Sequence, residues 1–142
     1  ASRLDALLAP FSEAALLINE CLITDLTHMP GDHNDGVQLL GKSRDVVLRR
    51  CRIANRHPQT SAVKIEGSRI VVEDCYLAGG GWTIYGGARH GASQVTITRN
   101  VLGRDHYDRV GYFGAVTDWS REPNRANRWI ANRRDDDRRI EP

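Results

Sequence analysis

The feature that most constrains this chain is an internal repeat. Four segments, 16–23, 46–53, 70–77 and 95–102, share one pattern: apolar, any, apolar, two mostly polar residues, Cys or Asn, any, apolar. Their sixth positions are Cys21, Cys51, Cys75 and Asn100, spaced 30, 24 and 25 residues apart. A degraded fifth copy lies at 129–132. Each copy alternates apolar and polar residues with a period of two, most clearly at Val95, Thr96, Ile97 and Thr98, which is the signature of a strand. A second short strand follows between copies, at 37–39, 63–65 and 82–84.

A unit of this size cannot bury its apolar face alone. Stacking one unit on the next makes a continuous core and lines the strands up in parallel sheets. The pattern therefore predicts an all-β parallel β-helix of about four to five coils over 16–134. Residues 1–15 are expected to form an N-terminal cap or linker and 135–142 a polar tail. Cys21, Cys51, Cys75 and Asn100 are expected in one inward column, because a corner side chain meets its copies roughly every 4.8 Å along such a stack. Asn hydrogen-bonds along the column, and free Cys fills the slot as a small hydrophobe.

Composition narrows the function. Charged residues make up 27 % and hydrophobic residues 40 % of the 142 residues, the balance of an ordinary globular protein. No apolar run approaches the length of a membrane span, so no membrane partner is expected. The net charge of +2 is too small to predict nucleic-acid binding. The three cysteines lie too far apart in sequence for metal-type spacing. Gly79, Gly80 and Gly81 lack the following helix of a phosphate-binding loop. The 133–139 stretch mixes charge signs, which reads as a solvated terminus. No cofactor is expected.

With these segments in view, the chain resembles the right-handed parallel β-helix proteins of the pectate-lyase-like superfamily. The stretches 31–39, 59–62 and 79–86 resemble β-helix domains of actinobacterial secreted proteins and of minor tail proteins from phages that infect those bacteria. The resemblance implies an extracellular or virion-surface protein whose ligand, a polysaccharide, lies along one sheet. Two departures stand out. Few coils precede the 33–36 turn, and the Asp and Arg set of the lyases is not found.

The face implied by the resemblance is formed by 37–39, 63–65 and 82–84. Alternation points Val37, Leu39, Val63, Ile65, Trp82 and Ile84 inward. Gln38, Lys64 and Thr83 are expected outward in one row, with Leu40, Glu66 and Tyr85 in the next. Loops should add His57 and His90 to a ligand-binding set of Gln38, Lys64, Thr83 and Tyr85. Lys64 and Glu66 also read as a solvated ion pair. Candidate catalytic groups are His33, Asp35, Glu66, Asp105 and His106, with Glu66 paired to Asp35 or Asp105 in a glycosidase-like arrangement. The 33–36 turn reads equally as structural, with Gly36 supplying a positive φ. Asp32, His33 and Asp35 are too close in sequence to converge readily on one metal ion.

The expected function is a non-catalytic module that recognises a cell-surface polysaccharide. The alternatives are a polysaccharide lyase or glycoside hydrolase on the same face, and a purely structural assembly unit. Leu4, Leu7, Leu8 and Phe11 make 1–15 apolar but too short for a full coil. Membership of a larger polypeptide, or self-association near the first coil, is therefore expected.

Overall fold

The computed structural model describes residues 16–142. The expected cap or linker over 1–15 lies outside the described residues. Among the described residues fourteen strands are present: β1 (Leu16–Asn19), β2 (Leu22–Ile23), β3 (Val37–Leu39), β4 (Arg44–Arg49), β5 (Arg52–Asn55), β6 (Val63–Ile65), β7 (Ser68–Glu73), β8 (Tyr76–Gly79), β9 (Trp82–Tyr85), β10 (Ser93–Thr98), β11 (Val101–Gly103), β12 (Gly114–Thr117), β13 (Arg128–Ile130) and β14 (Arg133–Arg134). Helix is confined, among the described residues, to 3-10 turns at Ala88–His90 and Pro123–Arg125.

The strands stack in three sheets, ordered β1-β4-β7-β10-β13, β2-β5-β8-β11-β14 and β3-β6-β9-β12. Every pairing between these strands is parallel. The chain thus visits the sheets in turn and returns one layer further on, an all-β architecture consistent with a parallel β-solenoid. Equivalent apolar residues meet across the layers. Ile18, Leu48, Val72, Ile97 and Trp129 form one register row. Ile23, Ile53, Leu77 and Leu102 form another. Ile53, Leu77, Ile84 and Ile97 are fully buried, each contributing about 1.5–3 kcal/mol of burial.

A sharp bend separates the first and second strand of each layer. Glu20, Arg50, Asp74, Arg99 and Ala131 adopt left-handed φ values of 57, 51, 53, 55 and 57°. None of the five is β-branched, which matches the steric cost of that region. The outward side chains of two neighbouring pairs are joined, Arg50 to Glu20 at 3.0 Å and Arg99 to Asp74 at 2.9 Å.

The residue after each bend reaches the preceding layer. Cys51 and Cys75 point their thiols at Ile18 O and Leu48 O, at 3.5 and 3.7 Å. Asn100 Nδ2 donates to Val72 O at 2.9 Å, and Asn132 Nδ2 to Ile97 O at 2.8 Å. The asparagines also accept from that same preceding layer. Asn100 Oδ1 accepts from Cys75 N–H at 2.9 Å, and Asn132 Oδ1 from Asn100 N–H at 3.1 Å. The three cysteines are free thiols; Cys51 and Cys75 are buried, but Cys21 is exposed. All three thiols sit against the carbonyl two residues back, Asn19, Arg49 and Glu73 O at 3.5, 3.4 and 3.2 Å, but among the described residues Cys21 has no preceding layer to reach.

Candidate functional site

The third sheet carries the site. Parallel register places Gln38 opposite Lys64 and Lys64 opposite Tyr85. These three side chains line a groove of about 290 Å³ together with His33, Asp35, Gln59 and Thr60. His33 and Asp35 come from the loop before β3, and Gln59 and Thr60 from the loop before β6. The sheet supplies the floor and these two loops supply one wall.

The wall is held by layer-to-layer hydrogen bonds. Asp35 Oδ1 accepts from Ser61 N–H at 2.9 Å and from the Ser61 hydroxyl at 2.5 Å. Thr60 Oγ1 donates to Asn34 O at 2.6 Å. The buried Asn55 amide donates to Asn34 O at 2.8 Å and to Thr60 Oγ1 at 2.9 Å. Gly36 is required here by close approach and not by a positive φ. A Cβ there would lie 2.5 Å from Ile53 Cγ2 and 2.6 Å from Ala62 O.

On the floor, Lys64 Nζ lies 3.4 Å from Glu66 Oε1, and His90 Nε2 lies 3.5 Å from the same oxygen. The Glu66 side chain is only 13 % exposed, so this is a half-buried cluster and not the solvated pair expected from sequence. Burial pushes the Tyr85 phenol above its ordinary range, and the negative Asp35 adds to the shift.

Several expected site residues stand elsewhere. Thr83 is fully buried, and its hydroxyl donates to Gly79 O at 2.7 Å. The loop after β11 packs over it, with Gly111 close against Thr83 N, and the register also differs from the expected one. Matching apolar residues pairs Val63 with Trp82, whereas the structure pairs Val63 with Ile84. The slip of two residues keeps the faces but puts Tyr85, not Thr83, beside Lys64. It also separates Tyr85 from the expected Leu40 and Glu66 row. Trp82 is half-buried at the start of β9 against Phe113, with ring centroids 6.2 Å apart, instead of in the core.

His57 is turned away from the groove. Its ring stacks on His28 at 4.5 Å, and its Nε2 lies 2.7 Å from Leu26 O. His90 meets Glu66 but does not line the groove. Asp105, in the loop after β11, stands against the second sheet, where it pairs with Arg52 at 2.8 Å and accepts from the Tyr76 hydroxyl. It therefore forms no pair with Glu66. His106 follows it there, close to Gly79. Of the catalytic candidates, only His33 and Asp35 line the groove. Sequence reasoning missed Gln59 and Thr60, whose signal is their place in the loop feeding β6.

Among the described residues, no group of three or more His, Cys, Asp or Glu side chains is placed to hold a metal ion. No helix there is long and apolar enough to cross a membrane. The groove can offer amide, hydroxyl, imidazole, ammonium and carboxylate groups beside one phenol ring, a mixture suited to orienting a polar ligand by hydrogen bonds. No protein-family model, no curated protein and no solved structure matches this chain.

Proposed function

We propose that this chain is a β-helix module of four full coils and a partial fifth, with a Cys and Asn corner column, that recognises a cell-surface polysaccharide through the β3, β6 and β9 face. The observation that carries the reading is the convergence of Gln38, Lys64 and Tyr85 with His33 and Asp35 on one groove. Planar polar groups suit sugar hydroxyls, and the Tyr85 ring suits the C–H face of a sugar. A ligand of this class places the module on a secreted protein or a virion surface.

The carboxylates favour binding over catalysis. Asp35 is engaged by Ser61, and Glu66 by Lys64 and His90. Tyr85→Ala should weaken glycan binding by about 1–3 kcal/mol, the scale of one buried side chain, and leave the fold intact. Unchanged affinity in a titration would overturn the reading. Release of reducing ends or of unsaturated sugars would move the module to the lyase or hydrolase alternative.

A second reading concerns assembly. Leu16 and Leu22 of the first layer are 51 % and 67 % exposed, which favours self-association or a larger assembly through that layer. Sedimentation at micromolar concentration tests it, and a monomer at all concentrations would refute it.

A further inference from the structure

The three consecutive glycines 79–81 do not line the groove, yet they decide what stands beside it. Each is packed too closely for a side chain. A Cβ on Gly79 would lie 1.8 Å from Asn55 O, on Gly80 2.7 Å from Ser61 Cα, and on Gly81 2.5 Å from Pro58 O. This connection is therefore stripped to backbone. The longer loop of the next layer, 104–113, folds back across it. Gly79 N–H donates to Val110 O at 3.1 Å, Tyr112 N–H to Gly80 O at 2.8 Å, and Phe113 N–H to Gly81 O at 2.7 Å. The Tyr107 hydroxyl reaches further and donates to Arg56 O.

The fold-back builds a ridge of rings. Tyr107 and Tyr112 meet edge to face at 5.6 Å, Tyr112 and Phe113 at 5.0 Å, and Phe113 lies 6.2 Å from Trp82. Tyr112 and Phe113 remain 55 % and 54 % exposed. Such rings on an exposed loop are unusual unless they meet a ligand. The loop is also held under strain. Val110 is 1 % exposed and takes a φ of 77°, a conformation that a β-branched residue adopts only when its surroundings impose it.

The ridge adjoins the groove. Gly81, which accepts from Phe113, donates to the carbonyl of the groove residue Thr60 at 2.7 Å. The groove's Lys64 is matched by Glu66, so the site carries no excess of positive charge for acidic sugars.

We propose that Tyr112, Phe113 and Trp82 form a stacking subsite continuous with the groove, so that the surface takes a neutral oligosaccharide of several units and not a single sugar. This rests on the glycan reading of the groove. The groove fixes one unit by hydrogen bonds, and the ridge holds further units by ring stacking, which discriminates little between neutral sugars.

The test is an array of neutral and acidic oligosaccharides of graded length, probed with the wild-type chain, Tyr85→Ala, and the double variant Tyr112→Ala with Phe113→Ala. Thermal unfolding checks that each variant folds. The expected result is binding to neutral chains that tightens with length. The double variant should lose at least tenfold on the longest binders and keep the affinity for the shortest, whereas Tyr85→Ala should lose both. Length-independent binding, a preference for acidic chains, or an unaffected double variant would overturn the ridge and leave the groove standing. A wild-type chain that binds no oligosaccharide would overturn both readings.

Discussion

The two ends of the stack contrast, although both are made from the same repeat. At the first layer, Leu16, Leu22, Met29 and Leu40 are 51, 67, 61 and 52 % exposed. At the last layer, the chain folds over its own end. Trp129 Nε1 donates to Ile140 O at 2.6 Å, and Ile140 N–H donates to Asn132 O at 3.1 Å. Trp119 packs edge to face on Trp129 at 5.5 Å, and an antiparallel bridge joins Arg133 to Arg139. The stretch 135–142, polar by composition, thus places Ile140 against the core. The comparison teaches that a repeat residue has no fixed environment. Cys21 and Cys75 occupy the same repeat position, and among the described residues only the latter has a layer in front of it.

The largest expected contrast is in thiol chemistry. Burial pushes the Cys75 thiol up to about 12, so its thiolate fraction at pH 8 is on the order of 10⁻⁴. A thiol reagent at pH 8 should label one cysteine per folded chain, Cys21, and all three after unfolding. Rapid native labelling of Cys75 would erase the contrast between the ends. The same shift sets a pH dependence. The folded chain holds the Cys75 proton more tightly than the unfolded chain, where the thiol has its ordinary value of 9.0. That contribution to stability is complete below about pH 9 and is lost as pH rises towards 12, as alkaline urea titrations should record.

Next in size is the corner amide. Asn100→Ala removes the partner of Val72 O and of Cys75 N–H, both inside the stack. The expected loss is about 2–4 kcal/mol in urea unfolding. Cys21→Ala, at the exposed equivalent, should cost less than about 0.5 kcal/mol. Similar losses at both positions would mean that the corner acts locally and not between layers.

The closed end gives a third contrast. Trp129→Ala should cost about 2 kcal/mol, below the range for a fully buried Trp because the ring is half-exposed. Leu22→Ala at the first layer should cost a few tenths. A large loss at Leu22 would show that this layer is covered in solution.

The smallest effect is a gain. Ala131 takes a φ of 57° with no side-chain bond to lose. Ala131→Gly should relieve about 1–2 kcal/mol of strain and return part of it as unfolded-chain entropy, a net gain of about 0.5–1 kcal/mol. A loss of stability in thermal unfolding would show that the methyl group packs usefully at the closed end.

How far the sequence could be read follows from the range of the forces involved. Alternation at Val95 to Thr98 and recurrence every 25 or so residues are local signals, and they determined the strands, their parallel stacking and the face that carries Gln38, Lys64 and Tyr85. Register is not local. Matching Val63 with Trp82 satisfies the apolar pattern as well as matching it with Ile84, because a slip of two leaves every face unchanged. Only the packed loops choose between them, through the close backbone approach of Gly79, Gly80 and Gly81 to the layer before. The tertiary structure likewise decided which polar residues meet. It withdrew Thr83 into the interior, sent Asp105 to Tyr76 and Arg52, and brought Gln59 and Thr60 to the groove wall. Loop residues obey no period, so their neighbours are set by where the chain folds back and not by spacing along it.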